Sequence, residues 1–267
     1  MRKYLALFRI RFANGLQYRA AALAGIATQF AWGFMELLAF SAFYKADPAS
    51  FPMEFSQTVS YIWLQQAFLA LFMVWFFEAD IFNSITSGGI AYELARPMDL
   101  YGRWFCQSAA SRVAKAVLRS APILIVAFTV PGPLRMSLPP SGAQFALFLI
   151  SAVLSLCVVV AFTMLVYIST FFTLSPIGVR LISAVLADFL AGAVVPLPFF
   201  PPAFRAVAEV LPFAAMQNMP LRIYGGSIAS GDAIRGIALQ IFWLAALVVG
   251  GKLMMKSALR KVVVQGG

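Results

Sequence analysis

The chain has 267 residues, 62% of them apolar and 11% charged, where a soluble domain carries about 45–50% and 25%. With 26 Phe and 15% aromatics it is not disordered, and a mean hydropathy of +0.87 makes the bilayer its solvent. The net charge of +10 is read as membrane topology, basic loops against anionic lipid, and not as nucleic-acid binding. Histidine is absent and the two cysteines, Cys106 and Cys157, stand far apart. That removes HExxH zinc sites, Ser-His dyads and His-ligated haem, and leaves no expected metal site.

The first 20 residues place Leu5, Phe8, Phe12 and Leu16 on one helical stripe among Arg2, Lys3, Arg9 and Arg11. This pattern predicts an interfacial helix in the headgroup plane, although Leu7 and Ile10 interrupt its polar face. Arg9 and Arg11 break the apolar run that a signal peptide needs. A crossing takes about 20 mainly apolar residues. The spans expected on that basis are 22–44, 56–78, 105–130, 143–172, 177–195 and 233–255, which makes an all-α polytopic protein of six transmembrane helices in one membrane domain. The start of the third is open between Phe105 and Ala116.

Residues 79–100 connect the second and third spans at far greater length than a plain loop requires. Ile81, Phe82 and Ile85 repeat at helical spacing, with Asp80, Asn83, Ser84 and Thr86 between them. Gly88 and Gly89 end that helix, and Pro97 ends a second short element carrying Tyr92, Glu93 and Arg96. Two readings fit: a lid on the ends of the spans, or a docking element for a soluble partner. Residues 196–231 hold Pro196, Pro198, Pro201 and Pro202, which no straight helix accommodates. Fifteen helical residues from Ala203 to Gln217 reach only ~22 Å, short of the hydrocarbon core. This stretch is expected to dip in and return, as an extracellular gate built on Pro196, Pro198, Phe199, Phe200 and Glu209, or as a cap.

Three charges fall inside the expected spans: Glu36, Arg119 and Asp188. Each needs a reason, since a mid-bilayer charge costs upward of ~2.5 kcal/mol. Arg119 is expected to neutralise one of the acids within the bundle. Alternatively, an acid lines a transport path and meets polar or cationic cargo, or water solvates the charges locally. Arg112 and Lys115, on the same face as Arg119, are expected to snorkel to the inner headgroups. With the N-terminus inside, the inner side collects 15 of the 20 basic residues and the outer side 5, which predicts both termini in the cytoplasm.

Taken together, the basic arm, the run Gly88-Gly89…Glu93-Leu94-Ala95-Arg96-Pro97, the Pro196-Leu-Pro-Phe-Phe-Pro stretch, Leu211-Pro212-Phe213 and Pro220…Tyr224-Gly225-Gly226 resemble the ABC-2-type permeases. These are the membrane subunits of bacterial ATP-binding-cassette exporters, here of the half-size branch with a separate ATPase. The resemblance covers essentially the whole chain. It implies that the arm is an elbow helix and that the element at 79–100 is a coupling helix seated on an ATPase, with Asp80, Ile81, Phe82, Ile85, Tyr92, Glu93 and Arg96 as its contacts. It also implies re-entrant extracellular helices at 196–231, a second permease as partner, and a bacterial cytoplasmic (inner) membrane location.

A P-loop reads G-x-x-x-x-G-K-[ST]. The Gly251-Lys252 pair is followed by Leu253, and Ala246 stands where the first glycine belongs. A non-catalytic subunit without cofactor is expected, with ATP and Mg handled by the partner ATPase. The alternative function is a secondary transporter using Glu36 and Asp188 for ion coupling. It lacks a visible internal repeat, and nothing in the sequence carries a membrane-enzyme chemistry.

Overall fold

The computed structural model describes residues 2–173 and 175–260; Lys261, counted above on the inner side, lies outside them. The described residues form twelve α-helices, three short 3-10 turns and no strand. In chain order the helices are α1 Arg2–Gly15, α2 Arg19–Ala46, α3 Phe55–Ala67, α4 Leu69–Phe72, α5 Ala79–Thr86, α6 Ile90–Leu94, α7 Leu100–Thr129, α8 Gly142–Thr173, α9 Ile177–Leu190, α10 Pro202–Val210, α11 Asn218–Gly225 and α12 Ser230–Leu259. Three of them, α2, α8 and α12, are long and apolar enough to cross a membrane by length and composition. α7 is as long as α12 but carries Arg103, Arg112, Lys115 and Arg119.

α8 is the central pillar. Its buried Ser151, Ser155, Val158 to Ala161, Thr163, Met164 and Tyr167 meet α12 along one side and α11, α7 and α5 around the rest. Gln240 of α12 ties the pair together inside the bundle. It accepts from Ser151 Oγ at 2.9 Å and donates to Ser155 Oγ and to the Ala215 carbonyl, both at 2.9 Å. Small residues permit the closest approaches: a Cβ on Gly251 of α12 would fall 2.8 Å from the Tyr101 ring of α7.

The expected second span is not one helix. α3 ends at Ala67, α4 adds a single turn, and residues 73–77 are non-helical. The cause lies on α7. Arg112, only 1% exposed, donates from Nη1 to the carbonyls of Ala70 (3.1 Å) and Met73 (2.6 Å), and from Nη2 to those of Val74 (3.5 Å) and Phe76 (2.9 Å). Non-helical backbone at membrane depth survives only where protein or water satisfies it, and a guanidinium offers five donors in a fixed fork. Just beyond, the Glu78 N–H donates to Tyr167 Oη at 2.7 Å, and the Glu78 carboxylate pairs with Lys115 Nζ at 3.5 Å. Arg112 and Lys115 therefore do not snorkel to headgroups; they hold the end of the second span.

Two further expectations change, those for the fifth span and for 203–217. On α1, Leu5 is exposed, while Leu7, Phe8, Phe12 and Leu16 are half-buried. α1 packs alongside α7 with the chains parallel, because the Cys106 thiol donates to the Tyr4 carbonyl at 3.3 Å and Gly15 lies against Ala114. The fifth helix ends at Leu190, not Val195, where the chain turns through Gly192 at φ 79°; its 14 residues reach only ~21 Å. The stretch 203–217 is not one helix either: α10 ends at Val210, and Pro212 heads a series of turns before α11. Opposite the α5 end, Asp47 caps a 3-10 turn, and the Ser50 hydroxyl and main-chain N–H groups hold its carboxyl below the usual range.

Removing the guanidinium of Arg112 leaves four buried carbonyls without their donor. Arg112→Leu is expected to cost upward of ~3 kcal/mol, the scale for breaking a buried charged contact, seen as a fall in monodisperse yield and melting temperature in detergent. Arg112→Lys restores part of it at most, since an ammonium lacks the fork; full recovery with lysine, or an unchanged Arg112→Leu, would contradict this account.

Candidate functional site

A cleft of about 500 Å³ is lined by Gly25, Thr28, Gln29, Trp32 and Glu36 of α2, Gln65 and Gln66 of α3, Leu69, Met73 and Trp75, Arg119 of α7, Asp188 of α9, and Ala193 and Val194. All three charges expected inside the spans thus border one cavity. Its α2 wall is the stripe Gly25, Thr28, Gln29, Trp32 and Glu36, which recurs at helical spacing beside the buried stripe of Ile26, Gln29, Gly33 and Leu37 and shares Gln29 with it. Gly33 admits the Gln66 side chain, whose Cγ would sit 3.0 Å from a Cβ there. Leu69, Met73 and Trp75 reach the cleft because the second span unwinds beside it.

An amide network knits the Glu36 end of this wall. Gln29 Nε2 donates to the Gln66 carbonyl at 2.8 Å, and the side-chain amides of Gln65 and Gln66 each approach Glu36 Oε2 at 3.4 Å. Gln65 Nε2 also donates to the Ala193 carbonyl at 2.9 Å, and its Oε1 accepts from Gln217 Nε2 at 3.0 Å. Tyr61 Oη donates to the Gly192 carbonyl at 2.9 Å. The turn after α9 is thereby fastened to α3.

Arg119 forms no ion pair with Glu36 or Asp188, contrary to the pairing expected from sequence. Its guanidinium lies over the Phe76 ring, 5.9 Å from the centroid, and against Gly25, where a Cβ would stand 2.5 Å from Cζ. Gly25 and Glu36 are eleven residues apart on one helix, or ~16 Å, which sets Arg119 and Glu36 at different levels of the cleft. Arg119 also borders a second cavity of about 420 Å³, lined by Arg11, Asn14, Tyr18, Ala22, Glu78, Asp80 and Lys115 among others. The two cavities stack along α2 and α7, and Arg119 is on the wall of both. Sequence reasoning ranked Arg119 by depth and missed the aromatic and the glycine that house it.

The connection 79–100 has the predicted form: α5, a stop at Gly88 with φ 75°, and α6. Its inward side is not free. Ile81 and Phe82 are buried with Ile90, Tyr101, Trp104, Met164 and Tyr167; the Phe82 ring stands 4.8 Å from that of Tyr167, and Arg180 lies 5.2 Å over it. Ile85 is half-buried against the same cluster. Glu93 pairs with Arg103 and, at 3.8 Å, with Arg96. Asp80 reaches Arg11 at 3.9 Å. What remains outward is Tyr92, 81% exposed, with Leu94 and Arg96.

At the opposite end, Phe199 sits within an aromatic group, 5.1 Å from Phe40 and 4.9 Å from Phe51. Phe200 packs against Phe189 and Phe204 at 5.1 and 5.0 Å, and Pro198 is buried. Glu209 accepts from Arg222 at 2.6 Å and lies 3.9 Å from Arg205, which joins α10 to α11. Pro196 begins the 3-10 turn that carries Phe199.

A helical bundle whose long helices are apolar enough for a bilayer, and which enclose a charged cleft, is a multi-pass membrane protein. Residues 30–266 match the model of the ABC-2 family transporter protein, and the chain belongs to that family. It is therefore a membrane component of an ABC transport system. No curated protein matches the chain.

Two substitutions separate a cleft charge from a core position. Arg119→Gln is expected to leave folded yield near wild type, because it abandons no acid partner. Phe82→Ala, which empties a core position, costs ~3–5 kcal/mol. Thermal melts in detergent check both, and a collapse of Arg119→Gln comparable to that of Phe82→Ala would restore the pairing model.

Proposed function

We propose that the chain is the permease subunit of an ATP-driven exporter, with six membrane crossings, both termini in the cytoplasm of a bacterial inner membrane, and ATP and Mg bound by a separate ATPase. The observation that carries this reading is the physical link between the outward Tyr92-Leu94-Arg96 tip and the cleft. α5 follows directly on the non-helical residues 73–77, and Met73 and Trp75 of that segment line the cleft. A push on α5–α6 is thus applied to a cavity wall. Ile81 and Phe82 support the tip from beneath, as a lid would be supported, so the docking contacts are assigned to Tyr92, Leu94 and Arg96.

A second permease, identical or homologous, is proposed over the faces of α2 and α9. Leu23, Trp32, Met35 and Leu38 of α2 and Leu181, Ile182, Val185 and Phe189 of α9 are exposed and apolar, and they flank the cleft. α9 buries only Ala187 within the chain. The aromatic group around Phe199, with Glu209 bracing α10 on α11, is proposed as the outer gate.

Tagged protein from its own host is expected to capture an ATPase of the ATP-binding-cassette type, identified by mass spectrometry, while the purified chain alone hydrolyses no ATP. Tyr92→Asp should cut that capture about 10-fold or more, as loss of an interface anchor does, without altering monodispersity. No captured ATPase in wild type rejects the reading; undiminished capture by a Tyr92→Asp, Arg96→Glu double variant moves the docking site elsewhere.

A further inference from the structure

The groups left unsatisfied in the cleft are mostly of one kind. Glu36 and Asp188 have no cationic partner among the described residues. Glu36 receives only two long amide contacts at 3.4 Å. Gln29 and Gln66, 4% and 2% exposed, line the same cleft, and the Oε1 of each is buried without a donor. Their amide orientations are not free to reverse. Gln29 Nε2 is held by the Gln66 carbonyl and Gln66 Nε2 faces the Glu36 carboxylate, so the oxygens must remain the unfilled ends. Buried polar groups normally have partners; the missing partner is a donor for both glutamine oxygens, while Arg119 Nε, also buried without a partner, lacks an acceptor.

The positive charge of the cleft does not fill that role. Arg119 is set at the Gly25 end, over Phe76, about 16 Å along α2 from Glu36. Coulomb interaction falls inversely with distance, so a cation in contact with Glu36 at ~4 Å feels that acid about fourfold more strongly than it feels Arg119. Two indole rings complete the wall: Trp32 and Trp75 are 55% and 45% exposed, and both line the cleft. Indole is the best aromatic partner of a cation and also takes an apolar body.

We propose that this cleft binds a lipophilic amine. Its ammonium N–H groups donate to Glu36 and Asp188, and its apolar body lies against Trp32 and Trp75. The proposal rests on the transport reading above for its purpose, as the cargo of the permease, but not for its chemistry. It also predicts order among charge types: cation over neutral analogue, and neutral over anion.

The test uses purified full-length chain in detergent with dansylcadaverine, a primary amine whose dansyl group accepts energy from tryptophan. Its N-acetyl derivative and a dansyl-aminohexanoate supply the neutral and anionic bodies. Saturable tryptophan-sensitised emission is expected for the amine, with the acetylated probe weaker by about 10-fold or more, the scale of a lost charge-assisted hydrogen bond. Glu36→Gln and Asp188→Asn should each weaken the amine by a similar factor and leave the acetylated probe unmoved. Trp32→Phe should lower the transfer signal. Should Glu36→Gln fail to fold, Asp188→Asn with Glu36→Asp carries the comparison. Equal binding of amine and acetylated probe overturns the proposal, as does indifference to both acids. Preference for the carboxylate probe, lost in Arg119→Gln, would make this an anion site instead. ATPase capture by the same preparations keeps the two readings apart. Capture without amine binding sinks the amine site alone; amine binding without capture sinks the exporter reading and leaves the site standing.

Discussion

The hold of one buried arginine on one unwound segment, residues 73–77, organises this protein. Apolar residues from Phe68 to Phe77 would extend a helix as far as their hydropathy goes, yet the helix stops because Arg112 presents a better set of partners. Its guanidinium is already committed to the interior by its place on α7, where it can satisfy its own donors only on carbonyls. The backbone in turn can leave the helix only where such donors are provided. Each group makes the other tolerable. The arrangement then sets the direction of α5, because Glu78 is pinned by Tyr167 and Lys115 at the point where the chain leaves the bundle.

From this follows the shape of the cleft. A continuous second span would close the wall that Leu69, Met73 and Trp75 now form. The unwound segment also couples two regions that a rigid helix would couple differently. Short non-helical pieces absorb changes in φ and ψ that long helices resist, as hinges do. The α5–α6 element shares a core of Ile81, Phe82 and Ile90 with the bundle. It joins the bundle through the non-helical residues 73–77. Arg119, on the wall shared by the two stacked cavities, stands where a passage between them would run.

The opposite end is built on another principle. There the chain is held by aromatic packing, by amides and by the Glu209–Arg222 pair, not by a cation set on open backbone carbonyls. Phe40, Phe51 and Phe199 close on one another, and Gln217 and Tyr61 share the Gly192 carbonyl. Gly192 occupies a left-handed conformation and a Cβ there would crowd Tyr61 Oη at 3.0 Å, so the turn after α9 demands glycine on both counts.

Much of the architecture was legible because it depends on composition and on local chain stiffness. Apolar length marked α2, α8 and α12, glycine and proline marked the breaks around Gly88 and after Pro196, and the short helix-stop-helix of 79–100 has the outline its spacing predicts. The charges Glu36, Arg119 and Asp188 were recognisable as a problem, since any charge in an apolar run is. How each is answered was not recognisable, because the answers come from residues distant in sequence: Gly25 and Phe76 for Arg119, Gln65 and Gln66 for Glu36. Periodicity likewise assigned Ile81 and Phe82 to an apolar face without saying what covers it, and only the approach of Tyr167 and Trp104 decides that it belongs to the bundle. Hydropathy over 56–78 is that of a span, and no local signal there announces a break; Arg112, some forty residues later, supplies it. The sequence by itself determined a helical membrane protein and those turns that glycine and proline mark, because solvent and local sterics act on each segment alone. Where the second span ends, which charges meet and which wall opens onto the cleft were decided only by tertiary structure, because a buried donor or carboxylate is satisfied by whatever folding brings within hydrogen-bond reach.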